Sequence, residues 1–207
     1  MKKITIKQII GCVLLLWGAH APCATVNTAL QVKLNAIRTM SATFDQVVKA
    51  NKRNVSHSSG TMALSRPGRF RWQTHQPMMQ TVIADGHHLW VYDVDLEQVT
   101  VKKQNLGMGG TVGLFLSGYN DALARDFEVT RTMEGGQEVF DLRAKSSKAN
   151  FQRVKLMFGG EALHGIVLFD PLGQQTDVRL SHVKTNPKLP PELFRFKTPK
   201  GVDVVKQ

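Results

Sequence analysis

Few residues in this 207-residue chain have the types and spacing that bond-making chemistry needs. His87 and His88 stand side by side after an Asp85-Gly86 turn. In an extended segment adjacent side chains point to opposite faces, so they read as surface histidines and not as joint metal ligands. Asp93 and Asp95 flank a turn, where aspartate is favoured by bonding to its own backbone. Ser117, in Leu-Ser-Gly, lacks the Gly-x-Ser-x-Gly elbow that would present it as a nucleophile. No phosphate-cradling glycine loop and no metal-type His/Glu spacing occurs. The sequence points away from an enzyme, and no cofactor or metal is expected.

Arg66, Arg69 and Arg71 interleave with Phe70 and Trp72. Such interleaving can bind single-stranded nucleic acid by stacking. In a strand, however, Arg69 and Arg71 share one face and the two aromatics the other. That places the charges outside and the rings inside, and no nucleic-acid partner is expected. The net charge of +11 is read instead as tuning encounter with an anionic surface or partner.

The N-terminus carries Lys2, Lys3 and Lys7, then the apolar run Ile9–Ala19, then small residues up to Ala24. This is the order of a secretory signal peptide, and the run is shorter than the roughly 20 residues a spanning helix needs. Cleavage is expected after Ala24, giving a leader over 1–24 and one domain over 25–207. Ala21-Pro22 before Cys23 does not suit a lipid-modified cysteine. The exported chain then has no disulfide or thiolate metal site and depends on its core.

The elements that must build that core are mostly strands. Residues 26–40 place Val26, Leu30, Leu34 and Ile37 at helical spacing. Residues 41–48 read as a first strand and the polar stretch 51–59 as a loop. From Gly60 to Asp93 apolar and polar residues alternate, broken at Arg66-Pro67-Gly68, Gln76-Pro77 and Asp85-Gly86, which predicts three or four antiparallel strands. A strand near 96–101 and a glycine-rich break at 107–110 follow. Thr111 to Gly118 is expected to form a short helix capped by Thr111. Further strands are expected over 127–133, 138–144, 151–158, 163–169 and 175–183, with Gly135-Gly136 and Gly159-Gly160 as hairpin turns. Phe194 and Phe196 suggest a last short strand. Ten to twelve strands in one sheet must curl or split. Helices plugging one face would give a half-barrel with a lid.

The apolar residues these strands offer are Phe70, Trp72, Met79, Val82, Trp90, Tyr92, Phe140, Leu142, Leu156, Phe158, Ile166 and Leu168, with Met78 as an alternative to Met79. Two readings stay open. The chain fills the space with its own side chains, or the space stays vacant for a hydrophobic ligand under a lid bearing Leu114, Phe115 and Leu116. Methionines would suit the rim of such a site.

Several segments carry a resemblance. They are Ala42-Thr-Phe-Asp-Gln46, Arg66-Pro67-x-x-Phe70-x-Trp72, Ala84-Asp-Gly-x-x-Leu-Trp-x-Tyr-Asp93, Leu96-Glu-Gln-Val99, Asp170-x-x-Gly173-Gln174 and Phe194-x-Phe196-x-x-Pro199-x-Gly201-Val-Asp203. Together, and in this order, they resemble the LolA family of periplasmic lipoprotein carriers. The resemblance implies an unclosed antiparallel half-barrel, mainly β with short α, under a helical lid (LolA/LolB-like). It implies a monomeric chaperone, not an enzyme, whose cavity takes the acyl chains of triacylated lipoproteins. It implies receipt from the inner-membrane LolCDE transporter and delivery to the outer-membrane receptor LolB. It also implies that Arg66 locks the lid. Thr111-Val112 departs from the family's Thr-Pro at the start of the lid helix. The competing expectations are a LolB-like receptor, a lipid-modifying enzyme and a polyanion-binding module.

Overall fold

The computed structural model describes residues 26–104, 112, 116 and 125–207. The expected leader, most of the expected lid helix, and with it Leu114 and Phe115, lie outside the described residues. Helix α1 (Val26–Ala36) comes first, followed by β1 (Thr39–Ala50), β2 (Arg53–Ser65) and β3 (Arg69–Gln76). Next are β4 (Gln80–Asp85), β5 (His88–Asp93) and β6 (Gln98–Lys103). Further along the chain come β7 (Phe127–Glu134), β8 (Gln137–Ala144), β9 (Arg153–Gly159), β10 (Ala162–Phe169) and β11 (Gln175–Thr185). A 3-10 turn at Pro191–Phe194 and the short β12 (Asp203–Lys206) end the chain.

These strands make one sheet in the order β12-β6-β5-β4-β3-β2-β1-β11-β10-β9-β8-β7. Neighbours are antiparallel except β12, which runs parallel to β6. The edge strands β12 and β7 do not pair with each other, so the sheet curls without closing. The expected mainly-β, unclosed architecture is the one observed. The stretch 51–59 is a correction. It is not a loop but a two-residue turn, Asn51-Lys52, with both residues at positive φ, followed by the first half of β2. That half-strand is polar on both faces because it runs past the packed core, so it gave no alternation to read. The expected strand at Phe194–Phe196 is a second correction. Phe194 closes the 3-10 turn, and the final strand lies further on.

Cross-strand register fixes the two faces of the sheet. On the inner face Met40, Ala42 and Phe44 sit opposite Leu64, Met62 and Gly60. The row continues through Phe70 and Trp72 to Ala84 and Val82. On the other wing Phe44 meets Leu180, and Val178, Ile166, Leu156 and Phe140 follow in register. Phe44 stacks on Trp72 across β2, with ring centroids 4.0 Å apart and planes 24° from parallel. This contact needs a residue without a side chain between them, which is Gly60. A Cβ there would lie 1.9 Å from the carbonyl oxygen of Gln73 and 2.9 Å from the Phe44 ring. The register shifts by a bulge at the same place, bringing the β3 backbone close to Gly60.

Helix α1 plugs one end of the inner face. Leu30 and Leu34, buried and one turn apart, join the same core as Phe140, Leu156 and Phe158. Lys33 ties the helix to the β7–β10 wing. Its Nζ donates to Glu161 Oε1 at 2.9 Å and to the carbonyl of Gly160 at 3.0 Å, and lies 3.1 Å from Glu138 Oε2. Burial lowers the Lys33 pKa, but the two carboxylates more than offset this and hold it above its usual value. Asn186 ends the helix from across the chain. Its side chain accepts from the backbone of Arg38 at 2.8 Å and donates to the carbonyl of Ala36 at 2.8 Å.

Gly60→Ala is expected to destabilise the fold by about 1–3 kcal/mol, the usual cost of an overpacked core. Thermal unfolding followed by near-ultraviolet circular dichroism checks this, since the Phe44–Trp72 stack should weaken together with the midpoint.

Candidate functional site

A cavity opens on the inner face, at the end of the sheet that α1 does not reach. Its volume is about 480 Å³. Phe70, Trp72, Val82, Leu168 and Phe151 form apolar walls, and Val112 contributes to them. Towards the mouth the inner-facing positions turn polar, with Gln46, Ser56, Ser58, Thr74 and Thr176. Pro77, Met78 and Met79 in the β3–β4 turn and Asp95 and Leu96 after β5 complete the rim. Met78, Met79 and Leu96 are 67%, 52% and 72% exposed, so the rim offers apolar side chains to solvent. These strand-turn positions are where a sheet can present a bulky residue without burying it.

The expected cavity residues divide into four groups. Phe70, Trp72, Val82 and Leu168 line the space, and Met79 lies on its rim. Phe140, Leu142, Leu156, Phe158 and Ile166 face inward but are fully buried in the core with α1. They fill the other part of the concavity and do not line the vacant part. Phe140 and Phe158 meet edge to face, with centroids 5.8 Å apart. Trp90 and Tyr92 are corrections. Register puts Leu89 and Val91 on the inner face, opposite Ala84 and Val82, so Trp90 and Tyr92 point outward. There the C-terminal segment covers them. Phe196 stacks on Trp90 with centroids 5.4 Å apart and planes 20° from parallel, and meets Tyr92 at 5.9 Å. Leu114 and Phe115 lie outside the described residues, whereas Val112 and Leu116 are helical and buried in the core.

Arg66 occupies the β2–β3 turn, at the α1 end of the sheet. Its backbone N–H donates to the carbonyl of Arg38 at 2.8 Å. Its guanidinium is partly buried, and loss of solvent lowers its pKa to about 10, so it stays charged at neutral pH. Gln104 binds two turns at the end of β6, one of them the turn that holds Arg66. Its Nε2 donates to the carbonyl of Gly68 at 2.6 Å, and its Oε1 accepts from the backbone N–H of Gly86 at 3.0 Å. The backbone of Gln104 donates to the carbonyl of His87 at 2.8 Å. Gln104 was not apparent in the sequence, because both its partners are backbone groups of distant turns.

Asp85 organises the neighbouring turn. It accepts from the backbone of His87 and His88, both at 2.7 Å, and from Trp90 Nε1 at 2.9 Å. Burial raises its pKa, but these donors and the nearby His88 outweigh that and hold it below the usual carboxylate value. His87 and His88 are exposed. Among the described residues no group of His, Cys, Asp and Glu could hold a metal ion, and no helix is long and apolar enough to cross a membrane. The geometry suits reversible burial of apolar chains.

Comparison with known proteins agrees with that geometry. Residues 35–197 match the family model "Outer membrane lipoprotein carrier protein LolA". The chain is 58% identical over 94% of its length to the outer-membrane lipoprotein carrier protein of Legionella pneumophila (strain Corby), covering 96% of that protein. It is 40% identical to the carrier of the same name from Dechloromonas aromatica, covering 83% of each chain. A crystal structure of an uncharacterized conserved protein from Thermus thermophilus shares the fold, with a TM-score of 0.53 at 14% identity over 86% of this chain and 96% of that one.

The opposite facing of Trp72 and Trp90 gives a direct optical test. A brominated acyl chain is expected to quench Trp72 and spare Trp90. Quenching should therefore persist in Trp90→Phe and vanish in Trp72→Phe. Quenching that follows Trp90 instead would refute the assignment of faces.

Proposed function

This chain belongs to the LolA family of outer-membrane lipoprotein carriers, and from that premise we propose that it shields the acyl chains of lipoproteins as they cross the periplasm. The observation that carries the reading is the vacant apolar cavity beside a filled one on the same sheet face. Each methylene removed from water contributes about 0.8 kcal/mol. Three long chains then contribute tens of kcal/mol, which rules out an unassisted crossing.

The same magnitude sets a second requirement, since cargo bound that tightly would never leave. At about 480 Å³ the cavity has the size that houses one small ligand. In this reading, loading triacylated cargo parts the sheet from the lid. That opening separates packed apolar surface and offsets part of the binding energy. The cargo is held loosely enough to be passed on, with no covalent step.

In this reading residues 1–24 are a cleaved signal peptide, and 25–207 form a single carrier domain acting as a monomer in the periplasm. LolCDE supplies the cargo and LolB receives it. Arg66 holds the empty lid shut from its place beside Gln104, with Leu114 and Phe115 on the lid. Phe70, Trp72, Met79, Val82 and Leu168 contact the chains first, and the packed residues from Phe140 to Ile166 are reached only when the core opens.

Two measurements test this. The purified protein should release lipoprotein from inner-membrane vesicles bearing the transporter, as a one-to-one complex in the supernatant. Arg66→Leu should load equally well but transfer to the receptor about tenfold less, the effect of roughly 1.4 kcal/mol. Transfer at the normal rate by Arg66→Leu would contradict the lock.

A further inference from the structure

The mouth of the cavity has an unusual charge pattern for this chain. The protein carries 27 Lys and Arg against 16 Asp and Glu. Yet among the described residues lining the cavity there are two carboxylates, Asp93 and Asp95, and no cation. A collar of uncharged donors lines the same mouth: Gln46, Ser58, Thr74 and Thr176, half-buried, and Ser56, exposed, with Asp93 at the lateral end of the row that holds Thr74 and Gln80. Register places the collar on the inner face. Gln46 lies opposite Ser58, Thr74 opposite both Gly60 and Gln80, and Thr176 in the row of Leu168 and Val48. Gln80 Nε2 donates to Asp93 Oδ1 at 2.6 Å, which fixes that carboxylate at the edge of the collar.

We propose that this mouth selects lipid heads that are neutral and carry carbonyl groups, and turns away anionic ones. The inference rests on the carrier reading and adds to it a rule of specificity. A triacylated cysteine joins its chains through two esters and one amide. Each offers carbonyl oxygens, which only accept hydrogen bonds, and each is uncharged. The hydroxyls and amide N–H groups of the collar donate to such oxygens. Leaving those donors unpaired under an apolar head would be costly, so the collar rewards a carbonyl at that depth. A fatty-acid carboxylate or a lipid phosphate meets Asp93 and Asp95 in a partly desolvated mouth, where like charges repel more strongly than in water. With no cation among the described lining residues to offset that repulsion, the abundant anionic lipids of a bilayer are excluded while acylated protein is admitted.

The test compares a long-chain fatty acid with its methyl ester, matched in chain length, at pH 8 and low salt. Binding is read by displacement of a neutral fluorescent alkyl probe, with a triacylated lipopeptide measured in parallel. The wild-type protein should bind the ester at least about tenfold more tightly than the acid, and added salt should narrow the gap. The double variant Asp93→Asn/Asp95→Asn should bring the two affinities within about threefold by strengthening the acid more than the ester, with an unchanged thermal-unfolding midpoint as the control for folding. Gln46→Leu/Thr74→Val should weaken the ester while leaving the carbonyl-free probe bound. Equal wild-type affinities, or a gap that survives the double variant, would overturn the selectivity and leave the carrier reading standing. Failure of the wild-type protein to bind ester, probe and lipopeptide alike would instead overturn the carrier reading.

Discussion

An eleven-residue helix cannot cover the inner face of a twelve-stranded sheet. At about 1.5 Å per residue α1 is roughly 16 Å long, whereas twelve strands spaced about 4.8 Å apart extend over some 50 Å. The sheet curls to reduce this mismatch, but β7 and β12 never meet. The end of the inner face nearest the helix is packed with Phe140, Leu156 and Phe158, and the opposite end keeps a hollow walled by Trp72 and Val82 of one wing and Leu168 of the other. The ion pairs of Lys33 with the largely buried Glu138 and the exposed Glu161 tie the helix to the packed end. The vacancy is thus a consequence of where the helix is anchored.

The filled and vacant halves serve one another energetically. A carrier needs an apolar surface large enough to compete with a bilayer and a cost that returns the cargo. The packed end supplies stability with no cysteine among the described residues, and the hollow end supplies the surface. The Phe44–Trp72 stack over Gly60 forms the wall where the two meet. On the outer face the C-terminal segment packs Phe194 and Phe196 over β3 to β5, which keeps the sheet from exposing apolar surface on both sides. Gln104 pins the end of β6 to the turn that holds Arg66.

Much of this was legible from residue order. Turn residues such as Asp85-Gly86 and Gly135-Gly136 marked hairpins, and alternation through Phe70 and Trp72 identified the inner face of β3. The errors have physical causes. In β5 both Leu89 and Trp90 are apolar, because the C-terminal segment covers the outer face, and a strand buried on both sides has no alternation to give its phase. Residues 53–58 were too polar to read as a strand, although Ser56 and Ser58 face the cavity mouth. Asn186 and Gln104 act on backbone groups far away in sequence, which no local pattern can reveal. Arg66 entered through family resemblance, and its partial burial became visible only in the folded chain.

The central claim is that the hollow beside Trp72 receives acyl chains. Nuclear Overhauser contacts between a ¹³C-labelled triacylated lipopeptide and the methyl groups of the protein test it most directly. The account predicts contacts from the chains to Val82, Leu168 and Met79, and none to Ile83 or Val99 on the outer face. Contacts confined to the outer face, or a complex with no contact to Val82 and Leu168, would contradict it.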